Sequence, residues 1–449
     1  MFRAILIFGL VVAVSPTSHA DQTDAQRGYR LLRSKAYLPP DFDQETLDQL
    51  WTVWEQPLRE QARSADAATR RQMAYERYGL IADDKSEFEG TLQYVVDDSG
   101  NWVMNCLSCH QGQVDGRTIP GVPNSQFALA SLTEDVRAVK LKRDKPLARM
   151  DVGSLFIPLG NSRGTTNAVM FGVVLMHFRD AELNLVEARG QPHTVHHDLD
   201  APAWWHFSKK QQLYYDGFVP KSHRALMQFL LVPANGPEKF RAWEEDYKAI
   251  YAYIRSLQPP AYPYDTDATL AAEGQQVFNR RCASCHGRYD GAEQGYPNKV
   301  VPIDVVGTDR VRLDALKAEH RRRYAASWFN DYGQQQVDAQ PPGYVAPPLD
   351  GIWATAPYLH NGSVPSLWHL LHADQRPVVW RRRNGGFDRA KVGLNITTYD
   401  ERPASANSLH QRREYFDTRR FGKSAAGHLF PEKLNDQQKR AVLEYLKTL

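Results

Sequence analysis

The sequence is short of three things: cysteine, long apolar runs and an excess of charge of one sign. Only four of its 449 residues are cysteine, and all four lie in two short motifs, so none is left for a structural disulfide. Lys and Arg number 55 against 52 Asp and Glu, a balance that does not predict nucleic-acid binding. With 42% hydrophobic and 24% charged residues, the composition excludes a disordered chain and a membrane-embedded body, and predicts two or three globular modules.

The first twenty residues have the order of an export signal. Arg3 is followed by an apolar run from Ala4 to Val14 and by a small-residue site that ends at Ala20. This order predicts a signal peptide at residues 1–20 and a mature chain that begins near Asp21. The run is shorter than the about 20 residues needed to cross a bilayer, so a permanent anchor is the weaker alternative. We expect a periplasmic or secreted protein with no integral membrane segment after cleavage.

Two C-x-x-C-H motifs contain every cysteine of the chain. They are Cys106-Leu107-Ser108-Cys109-His110 and Cys282-Ala283-Ser284-Cys285-His286. Two residues between the thiols allow both sulfurs to form thioethers with one porphyrin, and the adjacent histidine can bind its iron. Zinc sites and redox dithiols also use C-x-x-C pairs, but a histidine directly after the second cysteine in both copies favours haem. We therefore predict two covalently bound c-type haems, with iron ligands His110 and His286.

The two halves of the chain also resemble each other outside these motifs. Ala201-Pro202 and residues 215–220 align without gaps on Ala346-Pro347 and residues 360–365, at an offset of 145. A terminal helix aligns at an offset of 192, residues 249–257 on residues 441–449, which implies a 47-residue insertion in the second half. Amphipathic helices can resemble one another by chance, but order and position agree with the two motifs, which indicates a duplicated cytochrome c.

The predicted fold is mostly α, with two cytochrome c-like haem domains and an N-terminal helical extension. We place the extension at 21–98, the first domain at 99–258, a proline-rich linker at 259–264 and the second domain at 265–449. A β-hairpin is expected before the first motif, with strands at 92–96 and 101–104. Before the second motif, Ala271, Gly274 and Phe278 share one helix face, which predicts a close helix crossing.

The halves differ where a second iron ligand could lie. Extending the 192-residue offset backward places Gly427-His428 opposite Asn235-Gly236. A haem iron held by one histidine takes either a sixth protein ligand, which suits electron transfer, or an open face, which suits reaction with a small molecule. We predict that His428 binds the second iron and that the first iron is open, although a surface histidine before a helix would look the same.

Other residues offer alternatives at both irons. His372 is a rival ligand for the second iron, while Met227, which aligns with it, and His177 are rivals for the first. The histidine- and tryptophan-rich stretch 192–206 fits either a plain loop or a distal wall of haem 1 that moves protons or relays electrons. The arginines at 381–383 fit either haem propionate partners or a solvated loop.

With the haem motifs, residues 347–365 resemble the bacterial di-haem cytochrome c peroxidase superfamily, and the rubber oxygenase-like branch most closely. The sequence is Pro-Pro-Leu-Asp-Gly-Ile-Trp-Ala-Thr-Ala-Pro-Tyr-Leu-His-Asn-Gly-Ser-Val-Pro. The resemblance returns at Phe416-Asp417-Thr418 and at Gly427-His428, where the branch pattern supplies the distal histidine of the second haem. The family further implies calcium between the domains, through carbonyls of Thr355-Ala356-Pro357.

This resemblance implies an exported di-haem c-type cytochrome oxidoreductase of the peroxidase or oxygenase kind. Haem 1, held by His110, would react with peroxide or dioxygen, and haem 2 would transfer electrons from a small redox protein or a small-molecule donor. Glu187 is a candidate for the distal glutamate that peroxidases use. Two alternatives stay open: a pure electron carrier with both irons six-coordinate, and an enzyme that oxidises a partner protein over a long distance.

Overall fold

The computed structural model describes residues 23–83, 90–157, 159–187, 190–291 and 295–449. Helix makes up 44% and strand 13%, so the predicted mostly α class is confirmed. The predicted signal peptide lies outside the described residues. Within the described ranges, no helix is both long and apolar enough to cross a membrane.

The N-terminal region and the first half contain eleven α-helices and seven short strands among the described residues. The helices are α1 (Asp24–Ser34), α2 (Gln44–Gln49), α3 (Leu58–Ser64), α4 (Ala67–Tyr78), α5 (Leu107–His110), α6 (Leu129–Lys142), α7 (Arg149–Phe156), α8 (Ala168–His177), α9 (His223–Leu226), α10 (Pro237–Ala242) and α11 (Glu244–Ser256). The strands are β1 (Phe42–Asp43), β2 (Tyr94–Val96), β3 (Asn101–Met104), β4 (Gln111–Val114), β5 (Arg117–Pro120), β6 (Gln212–Leu213) and β7 (Val219–Pro220). Short 3₁₀ helices lie at Leu50–Val53, Trp204–Phe207 and Met227–Leu230.

The second half continues with eight α-helices and five strands in its described part. The helices are α12 (Ala268–Arg281), α13 (Ala283–His286), α14 (Ile303–Val306), α15 (Val311–Ala315), α16 (Ala318–Ala325), α17 (Leu367–Leu371), α18 (Leu409–Arg413) and α19 (Asp436–Lys447). The strands are β8 (Val300–Pro302), β9 (Gly343–Val345), β10 (Val379–Asp388), β11 (Gly393–Tyr399) and β12 (Tyr415–Asp417). Here 3₁₀ helices lie at Trp328–Gly333, Ile352–Ala354, Ala373–Gln375 and Phe430–Lys433.

The sheets are small and antiparallel. β2 pairs with β3 in the register Tyr94 to Met104, with β1 on the other side of β3. The hairpin predicted before the first motif is therefore confirmed, with its first strand starting at Tyr94 rather than at residue 92. The largest sheet, in the order β11-β10-β12, lies within the insertion of the second half.

Each half contains one close helix crossing, and the two crossings are equivalent. In the second half, a side chain on Gly274 of α12 would collide with the backbone carbonyl of Ala441 in α19. In the first half, a side chain on Gly28 of α1 would collide with the carbonyl of Ala249 in α11. Ala249 and Ala441 are matched by the 192-residue offset. The crossing predicted for the second half is confirmed, and α1 occupies the place in the first half that α12 occupies in the second.

Buried ion pairs join the two halves. Asp216 of the first half accepts hydrogen bonds from Arg321, at 2.7 Å, and from Arg312, at 3.3 Å, and all three side chains are buried. Asp198 of the first half pairs with Lys423 of the second at 2.8 Å, also out of solvent. Separating the halves or removing one partner would leave a buried charge without a counterion, so these pairs favour one arrangement of the halves.

The insertion of the second half reaches across to the first. Arg382 on β10 donates to Ser125 Oγ at 2.7 Å. At the end of α18, Arg413 binds the carboxylate of Glu134 on α6 through two hydrogen bonds. Arg163 in turn pairs with Glu414 at 3.0 Å. The sheet β11-β10-β12 and α18 therefore form part of the contact between the halves.

Candidate haem sites

The first C-x-x-C-H motif is a single helical turn held by hydrogen bonds from its surroundings. The side chain of Asn105 accepts from the backbone N–H of Leu107, the first residue of α5, at 2.9 Å. Asn124 Nδ2 donates to the carbonyl of Ser108 at 3.1 Å. At the end of the turn, His110 Nδ1 lies 3.1 Å from the carbonyl oxygen of Pro202.

The second motif repeats this geometry. α13 begins directly after Cys282, and His286 Nδ1 lies 2.8 Å from the carbonyl oxygen of Pro347. Pro202 and Pro347 are the prolines that the 145-residue offset aligns. Because a carbonyl can only accept a hydrogen bond, the proton sits on Nδ1 in both rings and Nε2 keeps its lone pair. This is the tautomer of a histidine that binds a metal through Nε2, oriented by its second nitrogen.

Burial keeps the histidine and the first cysteine of each motif neutral. It lowers the pKa of His110 to about 4 and also lowers that of His286, so neither imidazole is protonated at neutral pH. It raises the pKa of the Cys106 thiol to about 11 and that of Cys282 to about 11. Redox dithiols need a thiol whose pKa is lowered, so this environment does not suit dithiol chemistry.

The zinc alternative also lacks structural support. None of the four cysteines forms a disulfide bond. Among the residues that the structure describes, no group of three or more His, Cys, Asp or Glu side chains could hold a metal ion. Neutral thiols beside a correctly oriented histidine fit covalent attachment of haem.

His428 lies opposite His286. The centroids of the two imidazole rings are 6.2 Å apart, with an angle of 64° between the ring planes. Two imidazoles that bind one metal from opposite sides, each at about 2.0–2.1 Å, would have centroids about 6.3 Å apart. Burial, together with the nearby His286 and Arg376, lowers the pKa of His428 to about 3, so the ring is neutral. The pair therefore fits a haem iron held between two histidines.

The loop that carries His428 has an unusual backbone. Gly427 and His428 both adopt positive φ angles, 79° and 51°, and a side chain on Gly427 would collide with the backbone of Gly307. The N–H of His428 donates to the carbonyl of Val306 at 2.6 Å. Left-handed backbone is costly for a residue other than glycine and is typical of functional sites. Here it turns the imidazole toward His286.

Arg376 supports this loop from the other side. Its guanidinium donates to the carbonyls of Ala425 at 2.6 Å and Gly427 at 2.8 Å, and also to the carbonyl of His369 at 3.1 Å. These bonds join the loop to the end of α17. Arg376 is thus a positioning residue for His428. No sequence motif points to it, because its hydrogen-bond acceptors are all backbone carbonyls.

Two of the rival ligands make other contacts. His372 stacks on Trp368, with centroids 3.8 Å apart, and its Nδ1 lies 2.9 Å from the carbonyl oxygen of Trp368. Both ring nitrogens of His177 are engaged, since Arg323 donates to Nδ1 at 3.2 Å and Nε2 donates to the Gly190 carbonyl at 3.2 Å. In this arrangement His177 has no free nitrogen for an iron. Glu187 is exposed.

Met227 remains a possible ligand of the first iron, but its alignment with His372 is off by one residue. Ser222 caps α9 and Ser366 caps α17 through the same side-chain contact, which sets a local offset of 144. Met227 then matches Leu371, and both side chains are buried in the cores of their halves. A one-residue difference in the loop before the cap produces this shift, which an ungapped comparison could not show.

The position equivalent to His428 carries no side chain in the first half. Gly236 precedes α10, and nothing lies within 4 Å of where its Cβ would be. Asn235 is buried and donates to the carbonyls of Tyr37 and Leu230. The position in the first half that aligns with His428 therefore offers no imidazole to an iron.

Two adjacent tryptophans link the two motifs. The ring of Trp204 stacks on His110, with centroids 4.8 Å apart and 19° between the planes. Trp205 packs in the core of the second half and its Nε1 donates to the carbonyl of Asp350 at 2.7 Å. Asp350 lies three residues after Pro347. Within the stretch 192–206, Trp204 thus contacts the imidazole that would lie below haem 1, rather than forming a wall on its distal side.

The arginines at 381–383 and the segment proposed to bind calcium all make contacts within the protein. Arg382 is partly buried, and this desolvation lowers its pKa to about 10, so it is not a fully solvated loop residue. Arg383 donates to Thr397 and Arg381 lies over the Tyr415 ring. In the segment proposed to bind calcium, Thr355 Oγ1 donates to the carbonyl of Ile352 at 3.1 Å.

These features define a mostly α protein with two equivalent sites suited to covalent haem. Residues 343–381 match the model of a family described as RoxA-like, cytochrome c-like. The segment contains the Pro347 carbonyl that orients His286, and the match supports a di-haem cytochrome c family. A cytochrome c-like domain implies covalently bound haem.

Two proteins of Sinorhizobium fredii are similar to the chain. Uncharacterized protein y4iM is 27% identical over 290 residues, which cover 56% of this chain and 64% of that protein. Uncharacterized protein y4iJ is 29% identical over 259 residues, which cover 43% of this chain and 41% of that protein. The matched region thus spans less than two thirds of either relative.

Proposed function

We propose that the chain is an exported di-haem c-type cytochrome oxidoreductase of the peroxidase or oxygenase kind. Haem 1, attached at Cys106 and Cys109, reacts with peroxide or dioxygen, and haem 2, attached at Cys282 and Cys285, transfers electrons. A small redox protein or a small-molecule donor supplies the electrons. Calcium between the halves is part of the proposal through the family resemblance alone.

One observation carries this proposal: the two sites match at the motif histidine and differ at the position opposite it. His110 and His286 are oriented by matched proline carbonyls. Among the described residues, a second histidine ring lies against His286, whereas the ring against His110 is that of Trp204. His428 occupies a position at which the first half has Gly236. When bound, haem supplies an iron that can carry an electron and, where one axial position is open, can bind a small oxidant.

The side chains around each site support these different roles. His428 and His286 hold their imidazoles neutral and fixed, which suits an iron that changes charge without changing ligands. Trp204 stacks on His110, and the next residue, Trp205, donates a hydrogen bond to the loop that orients His286. The short stretch of chain between the two side chains is the route we propose for electrons between the sites.

The proposal is tested by carbon monoxide binding to the reduced holoprotein. We expect one of two haems to bind carbon monoxide, as seen in a difference spectrum, and we expect the His428→Ala variant to bind it at both. Turnover with peroxide or dioxygen should be lost in His110→Ala while the spectrum of haem 2 stays intact. If neither haem binds carbon monoxide in any redox state, the oxidant-reactive function is excluded.

A pure electron carrier is the second candidate, and the buried Met227 in the first core favours it. In that case Met227 closes the first iron, and the Met227→Leu variant gains carbon monoxide binding that the wild type lacks. Carbon monoxide binding by the wild-type protein itself excludes the carrier. Mass spectrometry of protein made in a host that matures c-type cytochromes should show a chain that begins near Asp21 and carries two haems.

A further inference from the structure

An open cavity of about 630 Å³ lies on the insertion of the second half, away from both haem motifs. The residues that line it are Asn161, Glu401, Arg402, Leu409, Arg412, Arg413, Asp417, Arg419 and Arg420. Five of these nine residues are arginines and two are acidic. The volume is in the range of small-molecule sites, which hold about 300–1,000 Å³.

Two of the arginines are neutralised by the protein. Arg419 lies on the carboxylate of Asp417 through two hydrogen bonds, at 2.9 and 3.0 Å, and these bonds, with the charge of Arg419, lower the pKa of Asp417. Arg413 pairs with Glu134 on α6 at 2.6 Å. Both pairs fix the walls of the cavity, since they tie flexible side chains to carboxylates that belong to ordered elements.

Three guanidinium groups remain. In the described part of the chain, no ion pair or side-chain hydrogen bond is recorded for Arg402, Arg412 or Arg420, and all three are exposed. Glu401 is the one lining carboxylate not held by an arginine. Like charges brought to one cavity repel each other, and that repulsion is relieved when an anion binds between them. The guanidinium fork matches carboxylate and phosphate oxygens in pairs.

We propose that this cavity binds a small oxyanion of two or more negative charges, held by Arg402, Arg412 and Arg420. We infer the charge of the ligand from the lining, in which three unpaired guanidinium groups outnumber one free carboxylate by two. Carboxylates and phosphates share the recognition chemistry, so the ligand is a polycarboxylate or a phosphate compound. The cavity is lined from both sides of the contact between the halves, because Asn161 belongs to the first half and the arginines belong to the second.

Binding is measured on the holoprotein by isothermal titration calorimetry with citrate, succinate, acetate, inorganic phosphate and pyrophosphate. We expect saturable 1:1 binding of citrate or pyrophosphate, weaker binding of succinate or phosphate, and none of acetate. Tighter binding of citrate identifies a polycarboxylate site, and tighter binding of pyrophosphate identifies a phosphate site. Because the ligand binds only the folded protein, it should also raise the midpoint of thermal unfolding.

The double variant Arg412→Gln/Arg420→Gln should weaken binding at least tenfold. The matched control is Arg117→Gln/Arg440→Gln, which removes the same charge from two exposed arginines that do not line the cavity, and it should bind as the wild type does. Equal weakening in both double variants would show that net charge alone attracts the anions and would overturn the site. The absence of saturable anion binding to the wild type would also overturn the proposed site. Neither result would contradict the proposed haem function.

Discussion

At the scale of single residues, the chemistry depends on which way a few imidazoles face. His110 and His286 each donate Nδ1–H to a proline carbonyl, which leaves Nε2 as the only nitrogen able to bind iron. His428 reaches the opposite side of the second site only because two consecutive residues, Gly427 and His428, adopt left-handed backbone. Arg376 holds that turn by bonding its carbonyls.

The first prediction concerns the sixth ligand of haem 2. The His428→Ala variant should convert one haem from low spin to high spin, because it removes the strong-field imidazole opposite His286. His372→Ala is the matched control, since the buried His372 stacks on Trp368, and it should leave both spectra unchanged. Absorption and electron paramagnetic resonance spectra measure both. A spin change in His372→Ala alone would move the ligand assignment to that residue.

At the scale of secondary-structure elements, the helix pairs α1/α11 and α12/α19 show how the duplication is built. In each pair a glycine on one helix lets the two backbones come close. It lies against the carbonyl of an alanine on the other helix, and these two alanines, Ala249 and Ala441, are matched by the repeat. We infer that the first haem domain begins at α1 and that residues 35–98 interrupt it. The sequence predicts a boundary at residue 98 because residues 21–98 show helical patterning without chemistry. In the structure α12 runs directly into its motif, whereas α1 is separated from Cys106 by a long insert.

The second prediction tests the crossings. Gly274→Ala and Gly28→Ala should each lower the free energy of unfolding by about 1–3 kcal/mol, because the added methyl group forces the helices apart. Gly153→Ala in α7 serves as the control, since open space surrounds that position and alanine is the better helix former by up to about 1 kcal/mol. Urea unfolding followed by circular dichroism gives the values. Equal behaviour of all three variants would contradict the proposed close packing.

At the scale of the whole molecule, charged groups that lie far apart in sequence hold the two halves together. Asp216 with Arg312 and Arg321, and Asp198 with Lys423, are buried between the halves. The insertion adds Arg382 and Arg413, which reach Ser125 and Glu134. The relative placement of the haem sites, and with it the contact through Trp204 and Trp205, depends on these interactions.

The third prediction follows from the Asp216 cluster. Asp216→Asn should lower the free energy of unfolding by about 3–5 kcal/mol, because two buried guanidinium groups lose their counterion. Asp314→Asn breaks an exposed pair with Arg310 and should change stability little, since surface ion pairs contribute little. Thermal and urea unfolding of the holoprotein compare the two. A small effect of Asp216→Asn would show that water or another group stabilises the arginines.

The fourth prediction concerns acid stability. Burial lowers the pKa of six histidines outside the motifs and the His428 loop to about 3 or about 4: His197, His206, His320, His360, His369 and His410. The unfolded chain binds protons at these residues near pH 6.5 while the folded chain does not, so the free energy of unfolding should fall as the pH drops from 7 to 5. Each histidine contributes a slope of up to about 1.4 kcal/mol per pH unit.

A variant isolates one of these histidines. His410→Asn should reduce the pH dependence of the free energy of unfolding between pH 7 and 5 by up to about 1.4 kcal/mol per pH unit, the contribution of one proton. Between pH 7 and 8 the dependence should stay unchanged, because the histidines are neutral in both the folded and the unfolded state. Urea unfolding at several pH values measures the slope. An unchanged slope between pH 7 and 5 would show that His410 takes up its proton in the folded protein.

The sequence by itself determined what is local: the two C-x-x-C-H motifs, the hairpin before the first, the glycine face of α12 and the mostly α class. It also indicated the asymmetry at His428, because the repeat aligns the halves residue by residue. Only the tertiary structure decided which groups from distant parts of the chain meet. The pairing of α1 with α11, the support of the His428 loop by Arg376, and the arginine cavity all join segments separated by intervening elements. Periodicity and motif spacing describe neighbours along the chain, and such contacts depend on the packing of whole elements.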